Sequence, residues 1–184
     1  MLLPPEEASE FILLYSSLIG FAAGRLGGIA GIVDAKTFHN ASNNARAKAR
    51  DKFLGNITLI DDFVDENPYQ FPEKELSDVL KLKCFISGKF TIERDLKEYT
   101  VFLDDGELPK AYGVIGLTEE IIEMMPYPLP MFVSAVLLPW KGRIVCDGLI
   151  LVYNVMLGGG IRKNLKESYR QAKAHGIIMS LETG

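Results

Sequence analysis

Few residues in this 184-residue chain are equipped for catalysis. It has two histidines, His39 and His175, and two cysteines, Cys84 and Cys146. Two histidines are too few for a His-rich zinc site, and the cysteines are too scattered for a structural one. A Cys–His nucleophile pair would have to be assembled by the fold, since nothing local sets one up. Four carboxylates, Asp61, Asp62, Asp65 and Glu66, fall close together. Carboxylates at i and i+4 can share a hard cation such as Mg²⁺. The spacing is not that of a calcium-binding loop and there is no second acidic cluster, so the plainer reading is a solvated helix face. The Gly-x-Ser-x-Gly elbow of serine hydrolases is absent. So are the phosphate loop and the Gly-x-Gly-x-x-Gly dinucleotide fingerprint. The expectation is no catalytic residue, no metal and no cofactor.

Two features carry binding chemistry instead. The first is Pro139-Trp140-Lys141-Gly142-Arg143. Pro139 cannot donate to a strand ladder and Gly142 tolerates a turn with positive φ. Lys141 and Arg143 then flank the turn as two cations, and Trp140, the only tryptophan, offers a ring for anchoring or stacking. The competing reading is a corner held by Pro, Trp and Gly for structural reasons. The second feature is the run Arg162, Lys163, Lys166, Arg170 and Lys173, opposed only by Glu167. It follows three glycines, where a helix start would favour an anion. The competing reading is a solvated amphipathic helix whose cations complete the dipole.

These residues sit in an otherwise ordinary globular composition, 48% hydrophobic and 24% charged, which excludes global disorder. The formal charge of −4 argues against a general nucleic-acid binder. Residues 1–80 carry 7 basic and 12 acidic groups and residues 81–184 carry 13 and 12, so any polyanion contact belongs to the second half. The N-terminus lacks the basic region of a signal peptide, and the cysteines form no disulfide pattern, which points to the cytoplasm. Residues 11–33 carry a single charge, Arg25, with Gly20, Gly24 and Gly28 at the four-residue spacing of packed membrane helices. Ser16, Ser17, Arg25 and acidic flanks oppose a membrane span. A buried first helix ending near Gly24, followed by a Gly-rich turn, is expected.

The elements follow from periodicity and breakers. Helices are expected from Pro5, over 45–54, over 58–66 and from Pro72. Residues 40–44 read as a loop. Beyond Lys83 the chain becomes rich in β-branched and aromatic residues, and strands are expected at 84–92, 99–103, 111–117, 131–138 and 143–156, with a bend at Asp147-Gly148. Thr118 could cap a short helix to Met125. A helix over 161–174 and a short strand over 177–181 close the chain. The reading is an α+β protein: a helical region, 1–82, and a β-rich region, 83–184, forming a small antiparallel β-barrel or strongly curled sheet with a C-terminal helix.

Residues 59–68 (LIDDFVDENP), 88–90 (GKF), 112–117 (YGVIGL) and above all 137–148 (LLPWKGRIVCDG) resemble a family of uncharacterised bacterial proteins. The resemblance runs over roughly 59–181. In that family Phe is more usual at 140 and Tyr at 146, so Trp140 and Cys146 depart from it. The resemblance implies a soluble protein and no particular activity. The function expected is a non-catalytic binding module for another protein, with the Trp140 hairpin and the last helix as its surfaces. The alternatives are an RNA or single-stranded nucleic-acid binder using the basic half, and an enzyme with a pocket between the helical and β parts.

Overall fold

A computed structural model describes residues 1–155 and 158–181. The chain divides into two compact units, Pro5–Lys83 and Met1–Pro4 together with Cys84–Gly184.

The first unit is helical: α1 (Pro5–Arg25), α2 (Ala35–Asn40), α3 (Asn43–Leu54), α4 (Leu59–Glu66) and α5 (Glu73–Lys81). Pro5 opens α1, and Glu6 and Glu7 face the positive end of its dipole. The other four helices all pack on α1. Its glycines have a specific use. A Cβ at Gly20 would lie 2.2 Å from the Ala35 nitrogen and 2.3 Å from the Asp34 carbonyl carbon, and one at Gly24 would lie 2.7 Å from the Val33 oxygen. The four-residue spacing therefore lets the chain cross α1 backbone to backbone. Among the described residues no helix is long and apolar enough to cross a membrane.

The Gly-rich turn is present, with Gly27, Gly28 and Gly31 all at positive φ. The sequence reading has no counterpart for α2. A capping box starts it: Asp34 Oδ1 accepts from the Thr37 N–H at 2.7 Å, and Thr37 Oγ1 accepts from the Asp34 N–H at 3.0 Å. The Thr37 donors hold the Asp34 carboxyl below its ordinary range. α4 ends where Asn67 turns left-handed, φ 38°. The Asn67 side chain then brackets Phe71, accepting from its N–H at 2.8 Å and donating to its oxygen at 2.9 Å. That loop brings Tyr69 and Phe71 against Phe63, which also meets Phe21 edge-on at 5.4 Å.

The second unit holds β1 (Ile86–Asp95), β2 (Thr100–Asp104), β3 (Ala111–Ile115), β4 (Met131–Trp140), β5 (Arg143–Cys146), β6 (Leu151–Val152) and α6 (Gly159–His175). The strand order is β1-β2-β3-β5-β4-β6, and β1 also pairs with β4, so β1 to β5 form a ring. The fold is thus α+β, with a strongly curled sheet and a C-terminal helix. The sheet is mixed and not purely antiparallel as expected. β1 occupies one edge of β4 and β5 the other, so closure sets β5 beside β3, and the alternating directions make that pair parallel.

Strand alternation sorts the side chains into two sets. Phe90, Ile92, Phe102, Tyr112, Val114, Val133, Ala135, Leu137, Ile144 and Cys146 fill one core cluster, drawn from every strand of the ring. The intervening residues of β2 and β3, Val101, Leu103 and Ala111, form a second cluster with Tyr169 and Ala172 of α6.

Three expected elements differ. Residues 118–125 make turns rather than a helix, with only i→i+3 bonds from Glu123 to Glu120 and Met125 to Ile122. Pro126, Pro128 and Pro130 leave little room for a helix to propagate. The expected 143–156 strand breaks at Asp147-Gly148, where Gly148 takes φ 77° and Asp147 Oδ1 accepts from the Leu149 N–H at 3.0 Å. Its end at Met156 lies outside the described residues. The expected 177–181 strand is one parallel bridge, Ile178 to Tyr112.

Candidate functional site

The β4–β5 hairpin follows from its turn residues. Trp140 and Arg143 are paired across a two-residue loop, Lys141 at φ 47° and Gly142 at φ 75°. Positive φ at both positions is the type I′ geometry that matches the twist of a hairpin. Arg143 stands exposed and Lys141 half-buried. Trp140 is 1% exposed, as a structural corner requires and a stacking platform does not allow. A large, mostly apolar ring at the end of a strand buried over its last six positions gains more from the core than from solvent. The Lys141 ammonium lies 5.2 Å from the centre of that ring, so one hairpin cation is directed to the structural residue beside it.

α6 is positioned by one face. Leu165, Tyr169 and Ala172 dock on Val101, Leu103 and Ala111, while Ile161, one turn before Leu165, is 43% exposed. The docking is reinforced by residues that sequence reading did not single out. The register of β1 against β2 slips between Ile92 and Arg94, and the Arg94 guanidinium carbon comes to lie 4.1 Å from the centre of the Tyr169 ring. Arg94 Nη2 also donates to Oε1 of the buried Glu93 at 3.1 Å. A charge pair next to a β-bulge leaves no periodic signal that would have revealed it.

The rest of the α6 surface presents Arg162, Lys163, Lys166, Arg170 and Lys173, all exposed. The helix thus gathers five of the candidates, while Lys141 and Arg143 belong to the hairpin. Arg170 is engaged locally: its Nε and Nη2 donate to the two Glu167 oxygens at 3.0 and 2.7 Å. That pairing lowers the Glu167 pKa and raises that of Arg170. The helix begins at Gly158 without a side-chain cap.

The residues considered for catalysis are dispersed. Cys146 is in the core of the ring and Cys84 is half-buried where a 3₁₀ turn ends. The His175 ring Nδ1 lies 2.9 Å from the Gln171 oxygen one helical turn back. Within the acidic helix Asp61 pairs with Lys83 and Glu66 with Arg25, so two of the four carboxylates are used in the helical unit. Among the described residues no group of three or more His, Cys, Asp and Glu could hold a metal ion.

A buried tyrosine supports the β2–β3 loop. Tyr112 donates to Asp104 Oδ2 at 3.4 Å, and Asp104 Oδ1 accepts from the Lys110 N–H at 2.8 Å. Burial first, then the Asp104 charge and this hydrogen bond, pushes the Tyr112 phenol up to about 12. The loop so held forms a wall of a cleft of about 320 Å³ against the C-terminal end of α6.

No protein-family model, curated protein or solved structure matches this chain.

Proposed function

We propose that this protein is a non-catalytic binding module whose cationic α6 face docks an acidic surface of another protein. The observation that carries the reading is the division of α6 into two faces. Leu165, Tyr169 and Ala172 are spent on holding the helix, while the Arg162, Lys163, Lys166 and Lys173 side chains are exposed. An exposed charged face suits a protein surface of opposite charge.

The geometry favours a protein over a nucleic-acid strand. Trp140 is buried and offers no ring for bases to stack on. Five-stranded rings of the OB type offer the face of their second and third strands to oligonucleotides. Here one face of β2 and β3 goes into the ring core and the other carries α6.

Site-specific photo-crosslinking in cells tests the reading. A photoreactive residue at position 162 or 166 is expected to give a discrete protein adduct. The same residue at Asp105 is expected to give none, and the double variant Arg162→Glu, Lys163→Glu with the probe at 166 is expected to lose the adduct. An adduct of nucleic acid would replace this proposal with the nucleic-acid alternative. No adduct at either α6 position would end it.

A further inference from the structure

We propose that the cleft between residues 108–110 and the C-terminal end of α6 binds a small apolar carboxylate. This site is separate from the cationic face of α6 and does not depend on that reading. Its volume, about 320 Å³, lies at the lower end of the roughly 300–1,000 Å³ typical of small-molecule sites. A single ring or a branched chain fits such a space; a nucleotide does not.

The lining sets the chemistry. Leu108, Pro109, Ala172 and Ile178 provide the apolar walls. Leu108 is 81% exposed, a large apolar side chain held at the rim with most of its surface in water. An apolar ligand body covering it would remove that surface from solvent. The polar lining is Lys110, Gln171 and His175, and among the described residues no carboxylate lines the cleft although Asp105 and Glu107 are on the same loop. His175 is fixed at the helix end by Nδ1, 2.9 Å from the Gln171 backbone oxygen. A cation beside an apolar wall selects an apolar body with an anionic end.

The frame around the cleft is fixed before any ligand arrives. Asp104 ties down Lys110 through the backbone N–H, and the Lys110 oxygen accepts from the Asp104 N–H at 3.0 Å. Ile178 is held on the other side by two backbone bonds to β3, its N–H to Ala111 at 2.8 Å and its oxygen from Gly113 at 2.9 Å. A preformed site loses little freedom on binding.

The test is a titration of the full ¹⁵N-labelled chain with phenylacetate, using phenylacetamide as the neutral control. The expected result is saturable amide shifts concentrated at Leu108, Lys110, Gln171, His175 and Gly176. The amide should bind roughly tenfold more weakly, the loss of one charge-assisted contact. Lys110→Gln should weaken phenylacetate by a similar factor and leave phenylacetamide unchanged. Leu108→Asp should abolish both. Leu108 and Lys110 are exposed, and unchanged Trp140 emission verifies that each variant is folded. Absence of saturation, shifts centred elsewhere, equal binding of acid and amide, or an indifferent Lys110→Gln each overturns the proposal.

Discussion

Replacing Gly20 by alanine tests the central contact of the helical unit. In an exposed helix interior the change is favourable by roughly 1 kcal/mol, because alanine is the better helix former. At position 20 the new methyl would stand 2.2 Å from the Ala35 nitrogen and 2.3 Å from the Asp34 carbonyl carbon. Comfortable contacts between carbon atoms are about 3.5–4.0 Å, so the crossing chain must retreat by more than about 1 Å. The obstacle is backbone and cannot swing aside as a side-chain tip would. Overpacking of this kind costs about 1–3 kcal/mol and sometimes more. With the overlap at the upper end and the propensity gain subtracted, the net loss is about 2 kcal/mol. At an m-value of about 2 kcal/mol per molar urea, the midpoint falls by about 1 M. The assay is urea unfolding followed by circular dichroism at 222 nm, with Trp140 emission recorded in parallel to report the ring. Gly160→Ala is the internal control. It lies in α6 with nothing within 4 Å of the added methyl, so it should be neutral or slightly stabilising. If Gly20→Ala proved as harmless as Gly160→Ala, the close crossing of α1 by residues 34 and 35 would be refuted.

Three further outcomes follow from the second unit. Trp140, being 1% exposed, should be poorly quenched by iodide in the native chain and readily quenched in urea, and Trp140→Ala should cost about 3–5 kcal/mol of ring stability in a denaturant titration. Gly142→Ala places a side chain at φ 75° and should destabilise the hairpin by about 1–2 kcal/mol, seen as a lower midpoint of the Trp140 transition. Tyr112 keeps its proton to about pH 12 in the folded chain, whereas an ordinary tyrosine releases it near 10. Its contribution is therefore fully present below pH 10 and is lost as the pH rises from 10 towards 12. Unfolding midpoints at pH 9 and 11 should fall less in Tyr112→Phe than in the parent, and an identical fall would show that Tyr112 is not the group responsible.

Legibility varied with how local each cause was. The α+β order, the hairpin connection at 139–142 and the bend at Asp147-Gly148 are written in nearby residues, because turn geometry and strand alternation act over a few positions. α2 escaped notice because it has only one turn and a half, and its start rests on the Asp34–Thr37 box and not on apolar periodicity. The helix expected at 118–125 had a good cap and acids in place, yet the three prolines after it prevailed. The parallel β3–β5 pair was invisible, since no local pattern records which strand closes a ring. The candidate site divides the same way. The cations of α6 were visible as a stripe, whereas the burial of Trp140, the Arg94–Tyr169 contact and the cleft at Leu108 all depend on residues far apart in sequence.

Ring closure also accounts for which surface is left to face solvent. β1 can pair on both sides only because β4 reaches it, and this turns one set of side chains from all five strands inward. The other face of β2 and β3 is apolar as well, with Val101, Leu103 and Ala111 buried, so it requires a cover. α6 supplies the cover with Tyr169 and Ala172, and Arg94 adds a cation against the Tyr169 ring. A helix fixed by one apolar stripe must show its remaining stripe to solvent. In α6 that stripe is the basic one. The exposed positive charge of the second unit is thus a consequence of how the sheet is sealed: a substitution that loosens Tyr169, such as Arg94→Ala, should weaken partner docking without touching any docking residue. Crosslinking from position 166 in that variant measures the effect, and an undiminished adduct would show that the cationic face needs no fixed helix.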